Sequence, residues 1–120
     1  RSARVTPVVA KAAAGAIEYV PIALVSGIPS VLERAARAGV WTVGLDEHGE
    51  QSLFDLSLAD QAIAIVLGAE GRGLAQLTRK RCDVLVRIPM QGHLASLNVS
   101  AAAALACHEV ARRRRGAGPT

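Results

Sequence analysis

The sequence of 120 residues contains almost no aromatic side chains: one Trp, one Tyr and one Phe. This scarcity argues against a nucleic-acid binder that works by stacking bases on exposed rings. The hydrophobic residues, 51% of the chain, are mostly Ala, Val, Leu and Ile. That composition is typical of helices packed closely on a sheet, in a chain long enough for one domain with a substantial core.

Cysteine is also scarce, and Cys82 and Cys107 are too few for a disulfide framework or a four-cysteine zinc site. His108 lies beside Cys107, but no third ligand is near in sequence, which argues against a metal there. No apolar run reaches the length that spans a bilayer, and no signal peptide opens the chain. We therefore expect a reduced, cytoplasmic protein without membrane or metal partners.

Acidic residues are few in the second half of the chain. Residues 1–60 carry five Lys/Arg against seven Asp/Glu, whereas residues 61–120 carry nine against three. A basic half favours a polyanionic partner such as RNA or DNA. Alternatively, arginines at helix C-termini complement the helix dipole, and a charged tail serves only solubility. The basic residues concerned are Arg72, Arg79, Lys80, Arg81, Arg87 and Arg112–Arg115.

Hydrophobic patterning predicts alternating strands and helices, hence an α/β domain with a mostly parallel sheet. Ala62–Leu67 is continuously apolar, as expected for a central strand covered on both faces. The other predicted strands are Pro21–Val25, Val40–Leu45 and Val84–Ile88. The predicted helices are Thr6–Ala14, Ile28–Ala38, Leu74–Cys82 and Asn98–Arg115. Between them we predict a turn over Asp46–Gln51, an irregular connector with one helical turn over Ser52–Leu58, and a disordered tail over 116–120.

Two irregular loops follow predicted strands. Leu67–Leu74 has three glycines in six residues, and Ile88–Ser100 leads into an alanine-rich helix. Because parallel strands end at the same edge of a sheet, we expect these loops to clasp one ligand with backbone groups. The first loop lacks the Gly-Lys-Ser/Thr of a phosphate-binding loop, and it reads G-x-x-G-x-G rather than G-x-G-x-x-G. Glu70 within it would repel a pyrophosphate and favour a positively charged ligand; alternatively, the loop is only a glycine-rich turn.

These loops carry a family resemblance. Ile65–Leu74 and Ile88–Ala103 resemble the second and third motifs of the SpoU (TrmH-like) RNA 2′-O-ribose methyltransferases, closest to the branch that modifies guanosine in 23S ribosomal RNA. Ala12–Pro21 also resembles a segment of that family. The resemblance implies a SPOUT-type fold with a C-terminal trefoil knot, S-adenosylmethionine as methyl donor, an RNA substrate and a homodimer. The alternatives are a transfer RNA enzyme of the same chemistry, a catalytically impaired RNA-binding relative, and a flavodoxin-like nucleotide-binding module.

The resemblance also implies site residues. Cofactor contacts, mostly through the main chain, fall on Leu67, Gly68, Ile88, Met90 and Leu97. Glu70 would order the loop and the substrate, while Asn98, with Ser96, would orient the cofactor and the ribose. From the residues alone, Asn98 or Ser96 would serve equally well as the cap of the following helix.

One family feature has no match here. Members carry an earlier motif with an Asn and an Arg proposed to activate the hydroxyl, and Arg1 and Arg4 stand in a different context. Residues 1–115 therefore correspond to the C-terminal part of a catalytic domain, without the first strands of its sheet. We expect these 120 residues alone to be a poor or inactive catalyst. The remaining candidates receive ordinary interpretations: His48 and His93 as surface residues, and Trp41 as a core or interface residue.

Overall fold

The computed structural model of the chain describes residues 6–7, 19–68, 72–89 and 98–117. The strands there pair in the order β2–β4–β1–β3, and all three pairings are parallel. The predicted α/β class with a parallel sheet is confirmed. The strands are β1 (Trp41–Leu45), β2 (Gln51–Ser52), β3 (Ile63–Val66) and β4 (Val84–Arg87). The helices are α1 (Ile28–Arg37), α2 (Gln76–Arg81) and α3 (Val99–Ala117), with a short 3₁₀ turn at Leu53–Asp55.

The sheet separates two apolar clusters, because successive strand residues face opposite sides. On one face, Val43 and Val86 pack with residues of α3. On the other, Val66 packs with Leu32 of α1 and with Leu74. The described chain is therefore a three-layer arrangement, with α3 on one face and α1 and α2 on the other.

Helix α1 follows its sequence signals closely. It begins after Gly27 with Pro29 in its first turn, and Gly39, at φ +80°, ends it in a left-handed conformation that favours glycine. Leu32 is buried, whereas Glu33 and Arg34 are exposed, as the periodicity predicted. The prediction of Ile28–Ala38 is confirmed to within one residue.

Two strand predictions require correction. Pro21–Val25 has no regular secondary structure in the described chain, and its apolar side chains are exposed. An apolar run forms a stable strand only when a neighbour completes its hydrogen bonds, and no described strand does so. The run Ala62–Leu67 forms β3, but β3 lies at the edge of the described sheet, while β1 and β4 are central. Ile63 and Ile65 pack towards α3 and Val66 towards α1, so contacts on both faces explain the apolar run without a second neighbouring strand.

Smaller differences concern element ends. Gln51 and Ser52, predicted in a turn and connector, pair with β4. The predicted helix Leu74–Cys82 is shorter, at Gln76–Arg81. Helix α3 continues through Gly116 and Ala117, two residues into the predicted tail; 118–120 lie outside the described residues, as does most of Thr6–Ala14. Within the described part of the chain, no helix is both long and apolar enough to cross a membrane.

Candidate active site

The two predicted loops begin at one edge of the sheet. Val66 of β3 and Leu85 of β4 both pair with Gly44 of β1, so β3 and β4 run in the same direction on either side of β1, and β4 continues two residues further, to Arg87. Strands in a sheet are about 4.8 Å apart, which puts Val66 and Leu85 roughly 10 Å from each other. The predicted common edge is confirmed, although the strands are separated by β1 and are not immediate neighbours. Leu67 and Ile88 stand at the two loop entrances.

The first loop is closed at its base by contact between its own ends. A Cβ atom on Gly68 would lie 2.0 Å from the carbonyl carbon of Gly73 and 2.4 Å from the amide nitrogen of Leu74. Both are backbone atoms, so they cannot move aside as a flexible side chain would. Gly73 itself has φ +70°, where any other residue is strained. Glycine is therefore required at both ends, and the turn is more specialised than an ordinary chain reversal.

The exit of this loop is anchored on the sheet. Leu74 is buried against Gly44, where a Cβ would come within 2.9 Å of the Leu74 Cδ1 atom and 2.8 Å of the Leu85 Cδ2 atom. The missing side chain at Gly44 thus makes room for the residue that follows the loop. Cys82 lies in the same cluster, and burial, with a smaller contribution from Asp83, raises the pKa of its thiol. This anchor fixes the loop relative to β1.

A buried ion pair at the same edge was missed by sequence reasoning. Asp46, directly after β1, accepts hydrogen bonds from Arg79 of α2, through Nε at 2.8 Å and through a second guanidinium nitrogen, and from the His48 amide at 2.7 Å. Burial pushes the pKa of Asp46 upward, but the His48 amide and Arg79 outweigh it and hold the pKa below its usual range. The carboxylate therefore stays ionised and ties α2 to the end of β1. An acidic residue immediately after an apolar strand was the available signal.

Asn98 caps the helix that follows the second loop. Its Oδ1 atom accepts a hydrogen bond from the Ala101 amide at 2.7 Å, and its carbonyl oxygen accepts one from the Ala102 amide at 3.0 Å. The capping interpretation of Asn98 is confirmed. Among described residues, no hydrogen bond joins Asn98 to Leu67, Gly68 or Ile88. The other predicted site residues, Glu70, Met90, Ser96 and Leu97, lie outside the described ranges.

Comparisons with known proteins agree with this geometry. The model of the SpoU rRNA Methylase family matches residues 1–108. The chain belongs to the SpoU rRNA methylase family. It is 40% identical over 115 residues to 23S rRNA (guanosine-2′-O-)-methyltransferase RlmB of Pseudomonas putida, covering 96% of this chain and 46% of that protein. The chain thus spans about half the length of the curated relatives it matches.

Two solved structures of this family's fold are similar. The SpoU methyltransferase AviRb from Streptomyces viridochromogenes, in complex with the cofactor AdoMet, gives a TM-score of 0.83 at 32% identity, over 92% of this chain and 45% of that one. A structure concerned with 2-OH methylation of C/U34 on tRNA gives 0.81 at 27% identity, over 92% and 71% respectively. The resemblance inferred from the two sequence motifs is confirmed at the level of the family.

Within this SpoU domain, the C-terminal arginines serve mainly as structural contacts. Arg112 pairs with Glu109 at 2.9 Å, and its hydrogen bond is the main cause that lowers the pKa of that carboxyl. Arg113 donates to the Phe54 carbonyl at 3.4 Å, and Arg114 donates to the Ala59 carbonyl at 2.7 Å and to that of Gln61. Arg113 and Arg114 thus hold α3 against the connector between β2 and β3, which weakens the interpretation of these two residues as RNA contacts.

An open cleft of about 310 Å³ lies on the α2 side of the sheet. Neither Leu67, Gly68 nor Ile88 lines it. Its wall is polar and apolar in about equal parts, and it lies apart from the two loops that carry the family motifs. We therefore place the candidate cofactor site at the loops and not here. The lining residues are Glu50, Gln51, Arg79, Cys82, Asp83, Val84 and Leu85.

Proposed function

We propose that this chain forms the S-adenosylmethionine site of an enzyme that methylates a ribose 2′-hydroxyl in RNA, most specifically in ribosomal RNA. The observation that carries the proposal is the closed Gly68–Gly73 loop base, beside Ile88, at the carboxyl edge of the sheet. Open α/β sheets bind their ligands at this edge. The relative named RlmB supports both the chemistry and the ribosomal substrate, and AviRb, solved in complex with AdoMet, supports the cofactor.

The described residues fit such a cofactor. Leu67, 37% exposed at the end of β3, and Ile88, half-buried at the end of β4, offer apolar surface at the two loop entrances. Gly68 lets the backbone of Gly73 and Leu74 approach where a side chain would stand, which fixes the shape of the loop at the predicted cofactor contact. When bound, S-adenosylmethionine would supply an electrophilic methyl group on a positively charged sulfur. The predicted cofactor contacts at Met90 and Leu97 remain predictions.

The residues of the chain would then act by positioning. A ribose 2′-hydroxyl is a weak acid and must lose its proton as it attacks, so the protein has to hold the reacting groups in line and manage that proton. The Oδ1 atom of Asn98 is committed to the Ala101 amide, which leaves its side-chain NH₂ group, within the described structure, to donate to a ligand. Glu70 and Ser96 keep their predicted roles in ordering the loop and orienting the ribose.

A homodimer, a trefoil knot and a cytoplasmic location complete the proposal. The apolar segment, which we define as residues 19–28, supports the homodimer: Tyr19 is 85% exposed and Leu24 69%. Trp41 is 45% exposed, so the interface interpretation of this residue is favoured over the core. Proteins rarely leave so many large apolar side chains in water unless another surface covers them.

Calorimetry with S-adenosylhomocysteine tests the cofactor site directly, and binding is the appropriate measurement because we expect these 120 residues alone to turn over poorly. Flavin mononucleotide is the comparison ligand, since a flavodoxin-like module would bind it. We expect saturable binding of S-adenosylhomocysteine and none of the flavin. The reverse result, or no binding of S-adenosylhomocysteine, would overturn the proposal.

Transfer RNA is the alternative substrate, favoured by the similarity to the structure concerned with methylation of C/U34 on tRNA. Transfer of tritiated methyl groups to ribosomal and transfer RNA, measured on a form of the enzyme that turns over, separates the two substrates. Incorporation into ribosomal RNA alone supports the first proposal, and incorporation into transfer RNA alone supports the second.

A further inference from the structure

Positive and negative charges are unevenly distributed over the fold. The layer formed by α1 and α2, residues 28–39 and 72–83, carries six Lys/Arg against two Asp/Glu. The segment 46–61, which runs from the end of β1 through the edge strand β2 towards β3, carries five Asp/Glu and no Lys/Arg, and its Asp46 pairs with Arg79 of α2. This distribution of charge differs from the one between the two halves of the sequence, because α1 and almost all of the acidic segment 46–61 lie in the same half.

The acidic groups of the α1/α2 layer are already engaged. Glu33 pairs with Arg81, and that contact is the main cause that lowers the pKa of its carboxyl. Asp83 accepts hydrogen bonds from Thr42, through the amide at 2.8 Å and the hydroxyl at 3.0 Å. Both carboxylates are therefore engaged within the fold, and their two charges leave most of the six cations of this layer uncompensated.

Four of the six cations remain available. Arg79 and Arg81 are held in ion pairs, whereas the other four make no hydrogen bond or ion pair within residues 19–68, 72–89 and 98–117. One of these four, Arg37, feels a through-space attraction to Glu33. All four are exposed. They are Arg34, Arg37, Arg72 and Lys80.

The helix dipole accounts for only some of these charges. Arg34 and Arg37 lie in the last turn of α1, and Lys80 lies in the last turn of α2, where cations are favourable. Arg72 lies three residues before the N-cap of α2, outside the turn over which the helix dipole acts, so the dipole does not account for it. It also directly precedes Gly73, which closes the base of the candidate cofactor loop. Positive charge beside the reaction site requires another explanation.

We propose that the α1/α2 layer is the surface that binds the phosphates of the RNA substrate, with Arg72 nearest the cofactor loop. This inference rests on the proposed function. The C-terminal arginines, although contiguous in sequence, are not that surface, because Arg113 and Arg114 hold α3 against the acidic connector and Arg112 pairs with Glu109. RNA approaching from the α3 side would meet Asp55 and Asp60, both exposed.

Salt dependence of RNA binding measures phosphate contacts directly. Each contact to a single strand contributes about 0.7, and each contact to a duplex about 0.9, to the slope of log affinity against log salt concentration. Fluorescence anisotropy with a labelled RNA hairpin gives this slope for the wild type, Arg72→Gln, Lys80→Gln and the control Arg115→Gln. Arg115 is an exposed cation on α3 without a partner in the described structure, so its loss removes the same charge from the other layer.

We expect Arg72→Gln and Lys80→Gln each to reduce the slope by about 0.7–0.9, while Arg115→Gln leaves it unchanged. Equal changes in all three variants, no change in Arg72→Gln and Lys80→Gln, or no RNA binding by the wild type would overturn the inference. Calorimetry with S-adenosylhomocysteine on the same proteins separates the two proposals. If S-adenosylhomocysteine binds but the salt slopes of the α2-side variants equal that of Arg115→Gln, the proposed RNA surface is refuted and the proposed function stands. If the slopes differ as expected but S-adenosylhomocysteine does not bind, the proposed function is refuted and the RNA surface stands.

Discussion

At the scale of single residues, polar side chains at element ends fix the helices that flank the candidate site: Asp46 holds α2 and Asn98 caps α3. Asn98 was predictable, because a helix that begins after a polar residue usually uses it as a cap. Asp46 was not predicted, since its partner Arg79 is 33 positions away in sequence. Capping patterns in a sequence predict contacts between residues a few positions apart. An ion pair between a strand end and a distant helix depends instead on how the elements pack.

Asn98 offers a test that separates stability from ligand binding. Asn98→Ala removes the cap and should lower the free energy of unfolding by about 1 kcal/mol, whereas Asn98→Asp keeps a capping oxygen and should retain it. If the NH₂ group donates to the ligand, Asn98→Asp should still bind S-adenosylhomocysteine more weakly than the wild type. Urea unfolding and calorimetry on the same samples give both quantities. Equal binding by Asn98→Asp and the wild type would reduce Asn98 to a structural residue.

Asp46 should make stability depend on pH in acid. Asp46→Asn loses charged hydrogen bonds to Arg79, each worth about 1.5–3 kcal/mol, and exposed Asp60→Asn, as control, should change stability by less than about 0.5 kcal/mol. Because the folded pKa of Asp46 is lowered, its contribution is present above the usual aspartate pKa of about 3.9 and is lost as pH falls through the folded value. The difference between wild type and Asp46→Asn in urea unfolding should therefore shrink below about pH 4. A constant difference down to strongly acidic pH would contradict this.

At the scale of elements, apolar runs and glycine spacing predicted the main strands and helices, and they placed both loops at one edge. They did not show that β3 is an edge strand in the described sheet. The apolar residues Ile63, Ile65 and Val66 indicate that both faces of β3 are covered, but not how many strands pair with it. At Pro21–Val25 the apolar run predicted a strand that does not form. Its composition is that of a strand, but hydrogen-bonding partners, which composition does not reveal, decide whether the strand forms.

The loop base makes Gly68 the most sensitive glycine of the described chain. Gly68→Ala should weaken binding of S-adenosylhomocysteine at least tenfold and lower stability, because a Cβ would lie 2.0 Å from the backbone of Gly73. Gly27→Ala is the matched control, since a Cβ there meets nothing within 4 Å and the backbone is extended. Calorimetry and urea unfolding of both variants provide the comparison. Wild-type binding by Gly68→Ala would show that the loop base is not part of the cofactor site.

At the scale of the whole molecule, sequence charge predicts a polyanionic partner, and the fold narrows the surface that we propose for it. The predicted basic half combined the C-terminal arginines with those of α2, since both lie after residue 60. Packing then separates them: Arg113 and Arg114 lie against the connector, and Arg72 and Lys80 remain exposed on the other face. Net charge by sequence half cannot make this distinction, because it counts cations that already have partners together with those that have none.

The apolar segment, residues 19–28, leads to a prediction about assembly. If two copies cover each other's segments, Leu24→Lys places a charge in the interface and should convert a dimer into a monomer, since burying an unpaired charge is strongly unfavourable. Leu77→Lys is the matched control, because Leu77 is also exposed, at 51%, but lies on α2 away from the segment. Light scattering after size-exclusion chromatography should give a dimeric mass for the wild type and Leu77→Lys and a monomeric mass for Leu24→Lys. A monomeric wild type would refute the homodimer, and a dimeric Leu24→Lys would place its interface on another surface.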